Sequence, residues 1–202
     1  TQLPKRIAVI GAGPIGCELA QAFGALGSKV TLIEAMDQIM IREDVDAVSI
    51  VRNQMEKDGV EVIVSAKITR VSKHANERSV HLTVDGAERS VTADEILIGG
   101  GRKPNVEGLE LERGRIEYDP RTGIRVNDNL QTTNPNVYAA GDVCMSWKFT
   151  HAADFAARIV IQNALFMGKK KLSSLTMPWC TYTHPEIAHV GLYESEAEAK
   201  GI

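Results

Sequence analysis

A glycine-rich turn near the start of the chain is the feature that most constrains its fold. An apolar run at residues 7–10 leads into Gly11-Ala12-Gly13-Pro14-Ile15-Gly16. A helix-like segment follows, and a second apolar run at residues 30–33 ends in Glu34. Strand, glycine turn, helix, strand and acid together make up a dinucleotide-binding unit. The sequence therefore predicts an α/β fold with a Rossmann-type parallel sheet.

The residues of this turn suit the binding of a diphosphate. Gly11 permits the tight turn out of the strand, Gly13 lets a pyrophosphate approach the backbone, and Gly16 lets the helix pack closely on the sheet. The free N–H groups and partial positive charge of the helix N-terminus attract the phosphates, and Pro14 fits the first helical turn because it lacks an N–H. The candidate NAD-binding residues here are Gly11, Gly13, Pro14, Ile15 and Gly16. A purely structural turn is the alternative.

Glu34 predicts which dinucleotide binds. A carboxylate at the end of the second strand accepts hydrogen bonds from the adenosine ribose and repels a 2′-phosphate. The first cation after it is Arg42, so we expect NADH to be favoured over NADPH. The simpler interpretation is an acid that only faces water.

Composition excludes several other classes of function. The chain has 202 residues, three widely spaced cysteines and a net charge of −3. This charge argues against binding to nucleic acid or to a membrane surface. No apolar run approaches the roughly 20 residues of a bilayer span. We expect a cytoplasmic protein with reduced thiols.

The first half of the chain alternates helix and strand and then changes character. Helical spacing of apolar residues predicts a helix over 44–57, and residues 60–64 follow as a third parallel strand. Alternating patterns predict an antiparallel β-meander at residues 68–73, 79–84 and 89–93. A fully buried strand is predicted at 95–98. The meander is thus inserted before the last strand of the parallel sheet.

The second half is richer in loops. Short strands are predicted at 124–126 and at 137–140, where the second ends in Gly141-Asp142. A helix is predicted over 150–166, and strands at 178–183 and 187–191 precede a final helix from residue 194. A strand pair and one helical turn cannot bury a core by themselves.

The order of these motifs resembles the pyridine nucleotide–disulfide oxidoreductases, which include dihydrolipoamide dehydrogenase, glutathione reductase and mercuric reductase. The matching stretches are residues 11–18, 101–105, 133–142 and 181–192. The resemblance implies hydride transfer from NADH to FAD and on to a disulfide or Hg(II)-type acceptor. Residues 149–154 and 178–180 are most similar to mercuric-reductase-like proteins.

The resemblance also implies further binding residues. Gly101 would contact the nicotinamide half of NAD, and Ile68 would lie near the adenine. Glu18 resembles an acid that pairs with a lysine beside the flavin; that lysine belongs to a segment outside this sequence, so Glu18 is expected to be unpaired. The implied FAD-binding residues are Asp142, Lys148, Phe149, Thr150 and His151, the last four presenting a helix N-terminus to the flavin.

The motifs in this sequence differ from the family pattern. It has one GxGxxG and no cysteine pair separated by four residues. We therefore expect a fragment: an NAD-binding domain at 1–118, the C-terminal part of an FAD-binding domain at 119–170, and the start of an interface domain at 171–202. No catalytic residue is expected in it, and Cys180 with His184 provides too few ligands for a metal site.

Alone, such a fragment should bind NAD and catalyse nothing, whereas the whole protein should be a homodimer that reduces a small-molecule electron acceptor. Two alternatives remain open. One is a non-catalytic NAD-binding module, which would not need Asp142. The other is a flavin enzyme without a redox disulfide, such as an NADH oxidase or ferredoxin reductase.

Overall fold

A computed structural model describes residues 2–202. This part of the chain forms eleven strands, four α-helices and one short 3-10 helix at Leu172–Ser174. In chain order they are β1 (Arg6–Ile10), α1 (Pro14–Ala25), β2 (Lys29–Ile33), α2 (Val45–Lys57), β3 (Glu61–Ile63), β4 (Lys67–His74), β5 (Glu77–Val84), β6 (Ala87–Ala93), β7 (Glu95–Ile98), β8 (Tyr118–Asp119), β9 (Gly123–Ile124), α3 (Thr150–Leu165), β10 (Trp179–Thr181), β11 (Ile187–His189) and α4 (Glu194–Ala199). The chain divides into two compact units, one formed by residues up to Gly101 with Cys180–Ile202, the other by Arg102–Trp179.

A four-stranded parallel sheet organises the first unit. Its strand order is β3-β2-β1-β7, with β1 paired in parallel to β2 on one side and to β7 on the other. Ile7 pairs with Val30 and with Glu95. The predicted parallel α/β sheet is confirmed, and β1 lies in its centre.

Both faces of this sheet are covered, which explains why β1 is a continuous apolar run. Ile7 and Val9 face the helices and pack in a buried cluster with Cys17 of α1 and Val51 of α2. Ala8 points to the opposite face, in a cluster that contains residues of the meander such as Val80, Leu82 and Val91. Alternate residues of one strand thus build two separate cores.

The inserted meander is confirmed. Strands β4, β5 and β6 form an antiparallel three-stranded sheet, and Asp85 and Gly86 turn the chain between the last two with positive φ. The strand at 95–98 also forms, but the prediction of full burial is wrong. Ile98 is 77% exposed, because β7 is an edge strand and Ile98 lies at its end.

The C-terminal segment of the first unit begins at Cys180 within β10, which pairs with β11, and α4 follows. Ile187 packs against the helix-side core of the parallel sheet. This segment therefore uses an existing core, as its short length requires. No helix in residues 2–202 combines the length and apolar character that crossing a membrane requires.

The second unit, taken by itself, packs α3 over loops. Ala152, Ala156 and Ile159 of α3 are buried with Leu130 and Met145. The helix predicted over 150–166 is confirmed. The strand predicted at 137–140 is wrong: Tyr138 makes only an isolated bridge to Gln131, and no ladder extends from it.

Three glycines meet where β1 turns into α1. Gly11 has φ +95°, the left-handed region that favours glycine. A Cβ at Gly16 would lie 1.9 Å from the Gly11 carbonyl oxygen, and one at Gly99, after β7, would lie 3.2 Å from the same atom. The predicted role of Gly16 in close packing is confirmed, while the contribution of Gly99 was not evident from the sequence.

Gly16→Ala tests this backbone contact. The new methyl group would collide with a backbone oxygen that cannot rotate away, so we expect the free energy of unfolding to fall by about 3 kcal/mol or more. Gly13→Ala is the matched control, because a Cβ there meets nothing within 4 Å, and should cost about 1 kcal/mol or less. Urea unfolding of both variants measures the difference, and equal stabilities would contradict the packing argument.

Candidate functional site

The N-terminus of α1 lies open next to the glycine turn. α1 begins at Pro14 after the extended Gly13, and it has neither a side-chain cap nor an acidic residue in its first turn. The N–H groups of a first helical turn have no partners within the helix. Ile15 is 48% exposed, and the space a Gly13 side chain would fill is empty. This helix end can therefore accept an anion without displacing a side chain.

Glu34 lies half-buried directly after β2, beside the turn. Its Oε2 accepts a hydrogen bond from the Ala12 N–H at 2.7 Å, and its Oε1 accepts one from the Met36 N–H at 3.0 Å. The sequence predicted a ribose-binding role for Glu34, but nothing in it indicated the hydrogen bond to Ala12. Two backbone N–H groups thus hold the carboxylate in position.

Two other predicted NAD residues take different positions. Gly101 follows β7 in a stretch of three glycines and has φ +105°. Ile68 of β4 packs on the meander side of the parallel sheet, in the cluster that contains Ile33. β4 begins close to Glu34, because the Ala66 N–H donates to the Glu34 carbonyl oxygen at 2.9 Å.

Glu18 has a partner, contrary to the expectation that it is unpaired. Its Oε1 accepts a hydrogen bond from the Tyr182 N–H at 2.8 Å. One turn further along α1, Gln21 accepts from the His184 N–H at 2.6 Å and donates to the His184 carbonyl at 2.7 Å. These side chains fasten residues 182–184 to α1, because they satisfy backbone groups that no strand pairs.

In the second unit, Arg102 links the predicted flavin residues. Its Nη1 donates to Asp142 Oδ2 at 3.1 Å, and its Nη2 donates to the Lys148 carbonyl oxygen. Lys148 Nζ returns a bond to the Arg102 carbonyl at 2.7 Å. Asp142 and Lys148 are therefore brought together. The contacts make Arg102 a candidate site residue that sequence reasoning missed, since forty positions separate it from Asp142.

The N-terminus of α3 resembles that of α1 in its chemistry. α3 begins at Thr150, and it too lacks a side-chain cap and an acid in its first turn. The rings of Phe149 and His151 stack with centroids 5.4 Å apart, and Phe149 also stacks on Trp179 at 6.2 Å. His151 Nε2 lies 2.8 Å from the Pro178 carbonyl. Aromatic side chains thus flank an open helix end.

The three cysteines are free thiols. Burial, together with the nearby Glu34 and Glu18, raises the pKa of Cys17 to about 12. Burial raises the pKa of Cys144 to about 11 and also raises that of Cys180, which lies near Glu186. Among residues 2–202 no three His, Cys, Asp or Glu side chains cluster closely enough to hold a metal ion. These thiols are therefore protonated at neutral pH.

Comparison with known sequences agrees with the family resemblance described above. The family described as pyridine nucleotide-disulphide oxidoreductase matches residues 1–157. A mercuric reductase of Staphylococcus aureus is 35% identical over 200 residues, which are 99% of this chain and 37% of that protein. A dihydrolipoyl dehydrogenase of Bacillus subtilis is 36% identical over 199 residues, which are 98% of this chain and 43% of that protein.

Comparison with solved structures also finds similar proteins. The HOCl-induced flavoprotein disulfide reductase RclA of Escherichia coli has a TM-score of 0.89 and 32% identity, covering 99% of this chain and 45% of that chain. LpdA of Mycobacterium tuberculosis has a TM-score of 0.90 and 30% identity, covering 100% of this chain and 43% of that one. The chain spans less than half the length of these relatives.

Thiol labelling tests the raised pKa values. At pH 8 a thiol of pKa 12 is a thiolate in only about one molecule in ten thousand. We expect iodoacetamide to modify Cys180 first, Cys144 more slowly and Cys17 last, measured by mass spectrometry of the peptides. In urea all three should react at the same rate. Labelling of Cys17 in the folded chain as fast as Cys180 would contradict the burial argument.

Arg102→Ala tests the link to Asp142 and Lys148. Loss of these hydrogen bonds should loosen residues 141–151, with backbone amides exchanging about fivefold faster, equivalent to about 1 kcal/mol of local stability. Arg158→Ala is the control, because Arg158 forms an exposed ion pair with Asp154 within α3. Hydrogen–deuterium exchange measures both. An equal change in the two variants would show that Arg102 has no special role.

Proposed function

The chain belongs to the pyridine nucleotide–disulphide oxidoreductase family, and from this premise we propose that it carries the NADH-binding site of an FAD-dependent reductase. In the whole protein, electrons would pass from NADH through FAD to a disulfide or an Hg(II)-type acceptor. The family implies FAD and NAD(P)H as cofactors, and its members above are a mercuric reductase and a dihydrolipoyl dehydrogenase. The choice of NADH and the site residues are our proposals.

One observation gives the main support for the proposed nucleotide site: the N-terminus of α1 is open, uncapped and free of acids in its first turn. The empty space beside Gly13 provides room for a group that approaches the backbone. Partial positive charge and unpaired N–H groups at this end favour a diphosphate. Gly11, Gly13, Pro14, Ile15 and Gly16 would therefore surround the pyrophosphate of NADH.

The preference for NADH follows from Glu34. Its carboxylate is fixed by two backbone N–H groups and would accept hydrogen bonds from the ribose hydroxyls. A 2′-phosphate at the same place would be repelled. Gly101 and Ile68 would contact the nicotinamide half and the adenine, and Glu18 would lie behind the turn.

The second unit would contribute to the FAD site. The N-terminus of α3, formed by Lys148, Phe149, Thr150 and His151, is uncapped and has no acid in its first turn, so its dipole would favour negative charge nearby. Asp142 would accept hydrogen bonds from the sugar or diphosphate side of FAD, and its ion pair with Arg102 holds it ready. These residues would hold FAD, which would supply the two-electron redox chemistry that links NADH to the acceptor.

We propose the domain boundaries that the sequence predicted. Residues 1–118 would form the NAD-binding domain, 119–170 part of the FAD-binding domain, and 171–202 the start of an interface domain. The whole protein would be a cytoplasmic homodimer that reduces a small molecule.

Titration calorimetry with NADH and NADPH tests this function. The chain should bind NADH, and NADPH should bind about tenfold more weakly, because Glu34 opposes the extra phosphate. Gly13→Ala should weaken NADH binding without unfolding the chain, since its methyl group would occupy the space of the diphosphate. Absence of NADH binding by the unmodified, folded chain would overturn the proposal.

A further inference from the structure

Glu34 has a role beyond recognition of the ribose. Resting on the proposed nucleotide site, we propose that its carboxylate also positions the glycine turn, so that the turn is ordered before the diphosphate binds. The residue through which it acts is Ala12, which lies between the first two glycines of the turn.

The backbone of Ala12 is held on both sides. Its N–H donates to Glu34 Oε2 at 2.7 Å, and its carbonyl oxygen accepts from the Met40 N–H at 2.7 Å and from the Cys17 thiol at 3.3 Å. Ala12 has no exposed surface. We call these contacts of Glu34, Met40 and Cys17 the Ala12 clamp. Because the flanking glycines have no side chains to anchor them, the clamp fixes this part of the turn.

The two roles of Glu34 are compatible. An ionised carboxylate offers about four lone-pair positions, and two are used by the N–H groups of Ala12 and Met36. The others remain for ribose hydroxyls. The same group can therefore hold the turn and the sugar at once.

Loss of the clamp should weaken binding of the diphosphate itself. Without Glu34, the buried Ala12 N–H loses its acceptor, and a buried donor without a partner drives rearrangement toward water. The turn must then be ordered when the ligand binds, and ordering a loop on binding reduces affinity.

The sign of the effect separates this role from the alternatives. Removal of a negative charge beside a diphosphate should, by Coulomb's law alone, tighten binding. Loss of a contact to ribose hydroxyls should not affect a ligand that lacks them. Only loss of the clamp weakens the binding of a diphosphate without these hydroxyls.

The experiment compares ADP with 2′,3′-dideoxy-ADP, which has no ribose hydroxyls, by calorimetry on the 202-residue chain. Glu34→Ala should weaken both ligands, and dideoxy-ADP by about fivefold. Glu34→Gln keeps one acceptor oxygen and should recover part of this loss. Asp37→Ala is the charge control, since Asp37 is exposed after the same strand, and should leave dideoxy-ADP binding equal or slightly tighter.

Binding of dideoxy-ADP to the Glu34→Ala variant as tightly as to the unmodified chain would overturn the proposal. A second measurement needs no ligand: amide exchange of Ala12, followed by NMR, should accelerate at least tenfold in Glu34→Ala and stay unchanged in Asp37→Ala. Unchanged protection of Ala12 would also overturn it. If the unmodified chain binds neither NADH nor ADP, the proposed function fails first, and the clamp retains only its effect on amide exchange.

Discussion

The contact between backbones at the end of β1 is the constraint on which the rest of the first unit depends. The Gly11 carbonyl oxygen is so close to Gly16 and Gly99 that neither position has room for a side chain without movement of the backbone. This contact brings the start of α1 against the sheet. It also joins β7 to the turn, because the Gly99 N–H donates to the Ile10 carbonyl at 2.7 Å. Close backbone packing of glycines therefore sets the position of the turn, and side-chain contacts such as that of Glu34 with the Ala12 N–H add to it.

Each unit, considered by itself, presents a helix N-terminus with the same electrostatic character. α1 and α3 both lack a side-chain cap and an acid in the first turn. A protein that needed only to stabilise these helices would gain about 1 kcal/mol from a serine, threonine or aspartate cap. A cap would, however, occupy the N–H groups that an anion requires. The absence of caps at both ends favours binding over helix stability.

The sequence was sufficient where function and fold impose a fixed spacing. The glycines at positions 11, 13 and 16 and the acid at 34 specify the βαβ unit, and alternating patterns specify the meander. Contacts between distant residues could not be predicted, since nothing local marks them: Gly99 lies more than eighty positions from Gly11, and Arg102 forty from Asp142. Two predictions from apolar runs were also wrong. The strand at 95–98 is not fully buried, because Ile98 lies in an edge strand, and residues 137–140 form no strand, because they lack a partner strand. Hydrophobicity indicates that a side chain favours burial, but it does not reveal which neighbouring element covers it.

An acid beside the proposed diphosphate site repels the ligand, and the magnitudes show how much of this repulsion must be offset. Repulsion between two unit charges about 4 Å apart is about 1 kcal/mol in water and about 4 kcal/mol near a protein surface. Glu34 accepts hydrogen bonds from two backbone N–H groups, and such charge-assisted bonds are stronger than neutral ones. In our proposal, the order that they give the turn lowers the cost of binding a diphosphate and so offsets part of that repulsion. A 2′-phosphate would experience the same charge with no such compensation. In our proposal, order in the turn and preference for NADH thus come from one carboxylate, so a substitution at Glu34 that relaxes the preference should also loosen the turn.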